Sequence, residues 1–74
     1  MENDTIMKKD EVVEYVKNER KRKGLSLRAL GELSGLRAAT ICEFENKGSG
    51  TLKTFLALVD GLGLDIEVKK KHKV

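Results

Sequence analysis

Residues 27–46 read LRALGELSGLRAATICEFEN. Apolar side chains recur in this stretch where two short crossed helices would pack on each other, at Leu30, Leu33, Leu36, Ile41 and Phe44. Gly31 stands where such helices must approach closely, and Gly35 stands where the first helix must end and turn. The stretch therefore predicts a helix-turn-helix unit whose second helix covers about residues 38–45.

A unit of this kind places its second helix in the major groove of DNA, and we call this second helix the reading helix. Ile41 and Phe44 mark the inward face of that helix, so the residues in its first turn and on its outward face would reach DNA. The predicted contacts are Arg37, Ala38, Ala39, Thr40 and Glu43.

These five residues differ in what they could do. Arg37 can grip a guanine with two hydrogen bonds or bind a phosphate. Ala38 and Ala39 let the backbone approach and can touch a thymine methyl group, although they are also simple helix formers. Thr40 can bond a base, a phosphate or its own helix. Glu43 is repelled by phosphate unless it accepts from a cytosine amino group, so its role stays open.

Phosphate contacts are expected from the flanks of the unit. The N-terminus of the helix that starts at Leu27 offers free amides beside Arg28. Lys47, in the loop expected after the reading helix, and Lys53, in the first turn of the next helix, would complete the clamp. Taken singly, each basic residue is more often plain surface than a phosphate contact.

The rest of the chain divides into an N-terminal arm (1–9), the helix-turn-helix domain (10–64), a strand (65–69) and a basic tail (70–74). A first helix is expected over residues 10–23, with Asp10 as its N-cap and Gly24 as its stop. Ser26 and Thr51 are the predicted caps of the second and fourth helices. Gly61 should weaken the last turn of the fourth helix, and Gly63 should end it.

Residues 65–69, with Ile66 and Val68, alternate between polar and apolar side chains, which is typical of a strand. A single strand after four helices has no partner in its own chain, so we expect it to pair antiparallel with a second copy. A frayed tail whose alternation is accidental is the other interpretation.

Length and charge agree with one small domain and an anionic partner. The 74 residues carry a net charge of +3. Residues 1–16 hold five acids and two lysines, a balance of −3, whereas residues 17–23 hold five bases and one acid, a balance of +4. Four lysines follow at positions 69, 70, 71 and 73. Such clustering suits a polyanion, although a solvated helix face explains each run equally well.

Composition excludes several other classes. The single cysteine, Cys42, allows no internal disulfide and fits the cytoplasm. The longest wholly apolar run, residues 55–59, is too short to cross a membrane. His72 lies in the charged tail, and no residues are spaced for catalysis, a metal ion or a cofactor. We therefore expect neither an enzyme nor a bound cofactor.

Arg20 and Glu45 lie on elements that should cross near the reading helix. A partly shielded ion pair between them would lock that helix in place. The alternative is two unconnected surface charges.

With these residues in view, the chain resembles the phage-repressor (Cro-like) helix-turn-helix family. The signature lies in Leu25-Ser26, Gly35-Leu36, Thr40-Ile41 and Phe44-Glu45-Asn46. Together with Ala39, Thr51-Leu52, Thr54-Phe55, Leu62 and Leu64, the pattern is more specifically similar to HipB-type antitoxins.

The resemblance implies an all-α fold of four to five helices and homodimers that repress their own operon at palindromic operators. It also implies a C-terminal strand paired between subunits, a kinase toxin as partner, and an ion pair between Arg20 and Glu45. The sequence departs from the family pattern at four positions, Glu19, Leu27, Arg37 and Lys47. Leu27 replaces a phosphate-binding glutamine, so that contact is either lost or taken over by Arg28.

A protein-binding module is the competing function. Such a chain would neutralise a toxin or act as an adaptor, with little specific DNA binding. Leu27 and the acidic Glu43 favour this alternative, and the salt dependence of binding to duplex DNA distinguishes the two functions.

Overall fold

The computed structural model describes residues 8–67 and contains four helices in that range. They are α1 (Lys9–Arg22), α2 (Leu27–Ser34), α3 (Ala38–Lys47) and α4 (Leu52–Gly61). α2 packs against both α3 and α4, and α1 packs against α3. The all-α helix-turn-helix fold predicted from the sequence is confirmed.

The caps of α2 and α4 follow the sequence, whereas the start of α1 does not. The hydroxyl groups of Ser26 and Thr51 accept hydrogen bonds from the amides three residues later, at 3.0 and 3.2 Å. α1 begins at Lys9 and its N-cap is Lys8, so the predicted N-cap at Asp10 is wrong. The reason is Glu11, whose carboxylate accepts the Lys8 amide at 2.9 Å and so moves the cap to Lys8.

α3 is longer than the sequence pattern suggested. It continues through Asn46 and Lys47, which were expected in a loop, and ends at Gly48, where φ is +68°. Gly48 is the first residue after the reading helix that adopts a left-handed conformation at little cost, and its amide bonds the Phe44 carbonyl at 2.9 Å. Lys47 therefore belongs to the last turn of α3.

The core lies where the helices meet. Five side chains are almost fully buried there: Val16, Leu30, Ile41, Leu58 and Leu62. Phe44 of α3 stacks on Phe55 of α4, with ring centroids 6.2 Å apart. Leu33 was predicted to join this core, but it is 58% exposed. α2 turns its Gly31 and Ser34 side toward its neighbours, which leaves Leu33 on the far side.

Two glycines mark places where backbones come close. A Cβ atom on Gly31 would lie 2.6 Å from the carbonyl oxygen of Leu36, so α2 and the turn touch there. A Cβ atom on Gly61 would lie 3.0 Å from Cβ of Ser34. The sequence suggested only that Gly61 weakens α4, whereas it also lets α4 approach α2.

Beyond α4, Gly63 takes a left-handed conformation and residues 64–67 form no regular structure in the single chain. Ile66 is 44% exposed. Val68, Lys69 and the basic tail lie outside the described residues, as do residues 1–7 of the arm. The strand at 65–69 therefore stays a prediction.

Candidate nucleic-acid interface

The outer face of α3 is uncovered by the rest of the described chain. Ile41 is fully buried and Phe44 is 6% exposed, so they hold one side of the helix against the core. Successive residues on a helix are rotated by about 100°. The opposite side therefore carries Ala39, Glu43 and Asn46, all of which are exposed.

The first turn of α3 presents a cationic side chain beside free amides. Arg37 is the N-cap, is exposed, and makes no side-chain capping bond. Its carbonyl accepts the amides of Thr40 and Ile41 at 3.0 and 3.2 Å, which leaves those of Ala38 and Ala39 without helix partners. This helix end is a favourable place for a phosphate or a base acceptor atom.

The turn between α2 and α3 fixes the angle at which this end is presented. Gly35 adopts φ +80°, and the amides of Gly35 and Leu36 both bond the carbonyl of Gly31, at 2.8 and 3.1 Å. The turn also touches α2 at Gly31, where there is no room for a side chain. α2, the turn and α3 are therefore packed closely together as one unit.

An ion pair ties α3 to α1 behind the outer face. Arg20 donates to both carboxylate oxygens of Glu45, from Nε at 2.7 Å and from Nη2 at 3.0 Å. Its Nη1 donates to the carbonyl of Leu25 at 2.8 Å. The two side chains are 12% and 4% exposed, and the hydrogen bond to Glu45 raises the pKa of Arg20. The pair expected from the sequence is present, and it fixes the rotation of α3.

The predicted phosphate-binding residues are all exposed. Arg28 lies in the first turn of α2, where Ser26 takes the amide of Ala29 and leaves those of Leu27 and Arg28 free. Lys53 lies in the first turn of α4, and Lys47 lies in the last turn of α3. Thr40, expected to face outward, is half-buried.

The basic run at 17–23 presents less unpaired positive charge than its sequence suggested. Arg20 is ion-paired with Glu45, and Arg22 is ion-paired with Glu19 on the same helix. The hydrogen bond from Arg22 lowers the pKa of Glu19, and that to Glu19 raises the pKa of Arg22. These internal pairs leave lysines as the run's contribution to surface charge, so the helix-turn-helix unit is the better candidate site.

Sequence reasoning missed Asn46 as an outward residue because it ended α3 at residue 45, two residues too early. Asn46 follows Ala39 by seven residues and Glu43 by three, a spacing that places all three on one helix face. Its Nδ2 donates to the sulfur of Cys42 at 3.1 Å. The described residues contain no group of three or more His, Cys, Asp or Glu that could hold a metal ion, and no helix among them could cross a membrane.

These features define a repressor-type helix-turn-helix domain with an exposed second helix. Solved structures of HipB have the same fold at 26% sequence identity. A HipB variant in its complex with the O2 20mer matches with a TM-score of 0.81 over 93% of this chain and 97% of that chain. The HipB–O1–O2 complex matches with a TM-score of 0.80 over 92% and 100%.

A HipA–HipB–O2–O3 complex also matches, with a TM-score of 0.81 over 92% of this chain and 97% of that chain. The HipB-type fold that the sequence resembled is thus confirmed. No protein-family model matches the sequence, and no curated protein sequence matches it.

Proposed function

We propose that this chain is a sequence-specific DNA-binding repressor, an antitoxin that represses its own operon from the cytoplasm. The observation that carries the proposal is the match of almost the whole chain to HipB in three complexes. These complexes contain O1 and O2 together, the O2 20mer and the O4 20mer, which we take as operator DNA. The open outer face of α3 supports it, since a DNA-reading helix must be free of its own core.

The contacts proposed for DNA are those of the helix-turn-helix unit. Arg37, Ala38, Ala39 and Glu43 meet the base edges in the major groove, and Thr40 contributes at its margin. Arg28, Lys47 and Lys53 bind phosphates on either side. The proposed activity is DNA binding alone, and it needs neither a catalytic step nor a cofactor.

The proposed active form is a homodimer. Leu52 and Leu56 lie one turn apart on α4 and are 70% and 46% exposed, and Ile66 adds a third exposed apolar side chain. A second copy would cover such side chains and pair the strand at 65–69. Two reading helices would then enter successive major grooves about 34 Å apart on an inverted repeat.

A toxin is the second proposed partner. The matching HipA–HipB complex is the observation that favours it, because HipB there assembles with HipA as well as with O2 and O3. We propose a kinase-like toxin, which the family resemblance implies. Toxin binding and DNA binding coexist in this proposal.

The salt dependence of binding to duplex DNA tests the proposed function. A repressor that neutralises roughly 6 phosphates should lose affinity with a slope of about −5 in a plot of log K against log salt. The slope is measured by fluorescence anisotropy of a labelled duplex. An adaptor would give almost no slope, which would contradict the proposal.

A pair of charge variants makes this test specific to the site. Arg37→Ala should weaken binding because it removes a cation at the exposed start of α3. Lys21→Ala is the matched control, since Lys21 is exposed on the side of α1 opposite the buried Val16. Equal losses from both variants would argue against a site on α3.

Deleting residues 65–74 should weaken the dimer, because the deletion removes Ile66 and the predicted strand. Leu64, which packs against the core, remains in the shortened chain. Dimer affinity is measured by sedimentation across a range of protein concentrations. Deleting only residues 70–74 is the control, and it should leave the dimer intact. If the longer deletion sediments like the full chain, the strand is not part of the interface.

A further inference from the structure

Glu43 is a charged group on the face proposed for DNA, and it pairs with no other side chain among residues 8–67. It is exposed near the middle of α3, between Arg37 at one end of the helix and Lys47 at the other. Within residues 8–67, the ion pairs join Arg20 to Glu45 and Arg22 to Glu19, and Glu43 takes part in no side-chain hydrogen bond. Lys47 stands at the spacing of a helical pair, yet the two side chains are not bridged.

The residues around Glu43 determine how far it reaches. Ala39, one turn earlier on the same row, carries only a methyl group, and Ala38 beside it is equally short. A helix whose first turn carries such short side chains can approach the base pairs closely. Glu43 is then the first side chain on that row that is long enough to span the gap to a base edge.

A carboxylate in the major groove has few acceptable partners. It accepts hydrogen bonds and donates none, and it is repelled by phosphate oxygens and by the acceptor atoms of guanine and thymine. The groove offers two donors, the amino groups of cytosine and adenine. In adenine the acceptor N7 lies beside the amino group and would repel the second carboxylate oxygen, whereas cytosine presents a C–H group there.

We propose that Glu43 is a specificity-determining residue that selects a cytosine at one position of each half-site. This inference rests on the proposed DNA-binding function and specifies the chemistry of that site. Glu43 gains one hydrogen bond on the correct base and meets repulsion on the others. It thereby converts a helix held by general charge attraction into one that rejects wrong sites.

The test is selection of binding sites from duplex DNA with a randomised centre, using the full chain and Glu43→Gln. The wild type should enrich a C·G pair at one position per half-site. Glutamine can bond both the amino group and N7 of adenine, so the variant should shift that position to A·T. The ratio of affinities for the two sites should change by roughly 5- to 100-fold, whereas the salt slope should stay the same.

Asp60→Asn makes the same chemical change on an exposed residue near the end of α4, and it should select the wild-type site. Circular dichroism verifies that both variants are folded. If Glu43→Gln selects the wild-type site at every position, the inference is overturned. If the wild type selects no site and shows no salt-dependent binding, the proposed function itself fails, which is a different result.

Discussion

Replacing Glu45 with alanine is expected to lower the free energy of unfolding by about 3 kcal/mol. Glu45 holds the guanidinium of Arg20 through two hydrogen bonds, in a place where the two side chains are only 12% and 4% exposed. Without the carboxylate, Arg20 retains its bond to the carbonyl of Leu25, but its charge stays poorly solvated. Urea unfolding followed by circular dichroism measures the loss.

The Glu19–Arg22 pair supplies the matched control for this prediction. It joins the same residue types on one helix, but the Arg22 side chain is 67% exposed, so Glu19→Ala should cost much less stability than Glu45→Ala. Replacing Arg20 and Glu45 together by methionine should recover much of the Glu45→Ala loss, because neither charge is then left alone. Equal costs for Glu45→Ala and Glu19→Ala would show that burial adds nothing to the inner pair.

Gly31→Ala is expected to destabilise the domain by about 2 kcal/mol, although alanine is the better helix former. The added Cβ atom would lie 2.6 Å from the carbonyl oxygen of Leu36, a backbone atom that cannot move without shifting the turn into α3. The sign of the effect is therefore informative. An open helical site would gain about 1 kcal/mol from the same change. Urea unfolding again provides the measurement.

Gly24→Ala is the control that separates the stability cost of steric crowding from the cost of a left-handed backbone conformation. Gly24 has φ +70° but no atom within 4 Å of the added Cβ, so its cost is the left-handed strain of about 1 kcal/mol. Gly31→Ala should cost more than this and should also weaken DNA binding in the folded fraction, because it moves α3. A variant at Gly31 that is as stable as the wild type would disprove the close approach.

The fold was predictable where several local signals agree. Ser26, the apolar positions of α2 and the glycine at 35 all point to the same helix and the same turn, and the structure follows them. Predictions failed where one side chain competes with another. Glu11 captures the Lys8 amide and moves the start of α1, and nothing before Gly48 stops α3.

The candidate site was predictable to a similar degree. Two inward residues, Ile41 and Phe44, suffice to predict which side of α3 faces outward. The pair between Arg20 and Glu45 joins residues 25 apart and follows from the resemblance, since periodicity carries no information about it. The exposure of Leu33 and the contact of Gly61 with Ser34 depend on how helices cross, which a single helix pattern does not specify.

Arg37 has a thermodynamic consequence as the N-cap of α3. A serine, threonine, asparagine or aspartate cap stabilises a helix end by about 1 kcal/mol, and Arg37 makes no such bond. The opening turn of α3 is therefore prone to fraying in the free protein. An anionic oxygen that binds there would act as the missing cap. Part of the free energy of DNA binding would then be used to order the first turn of α3.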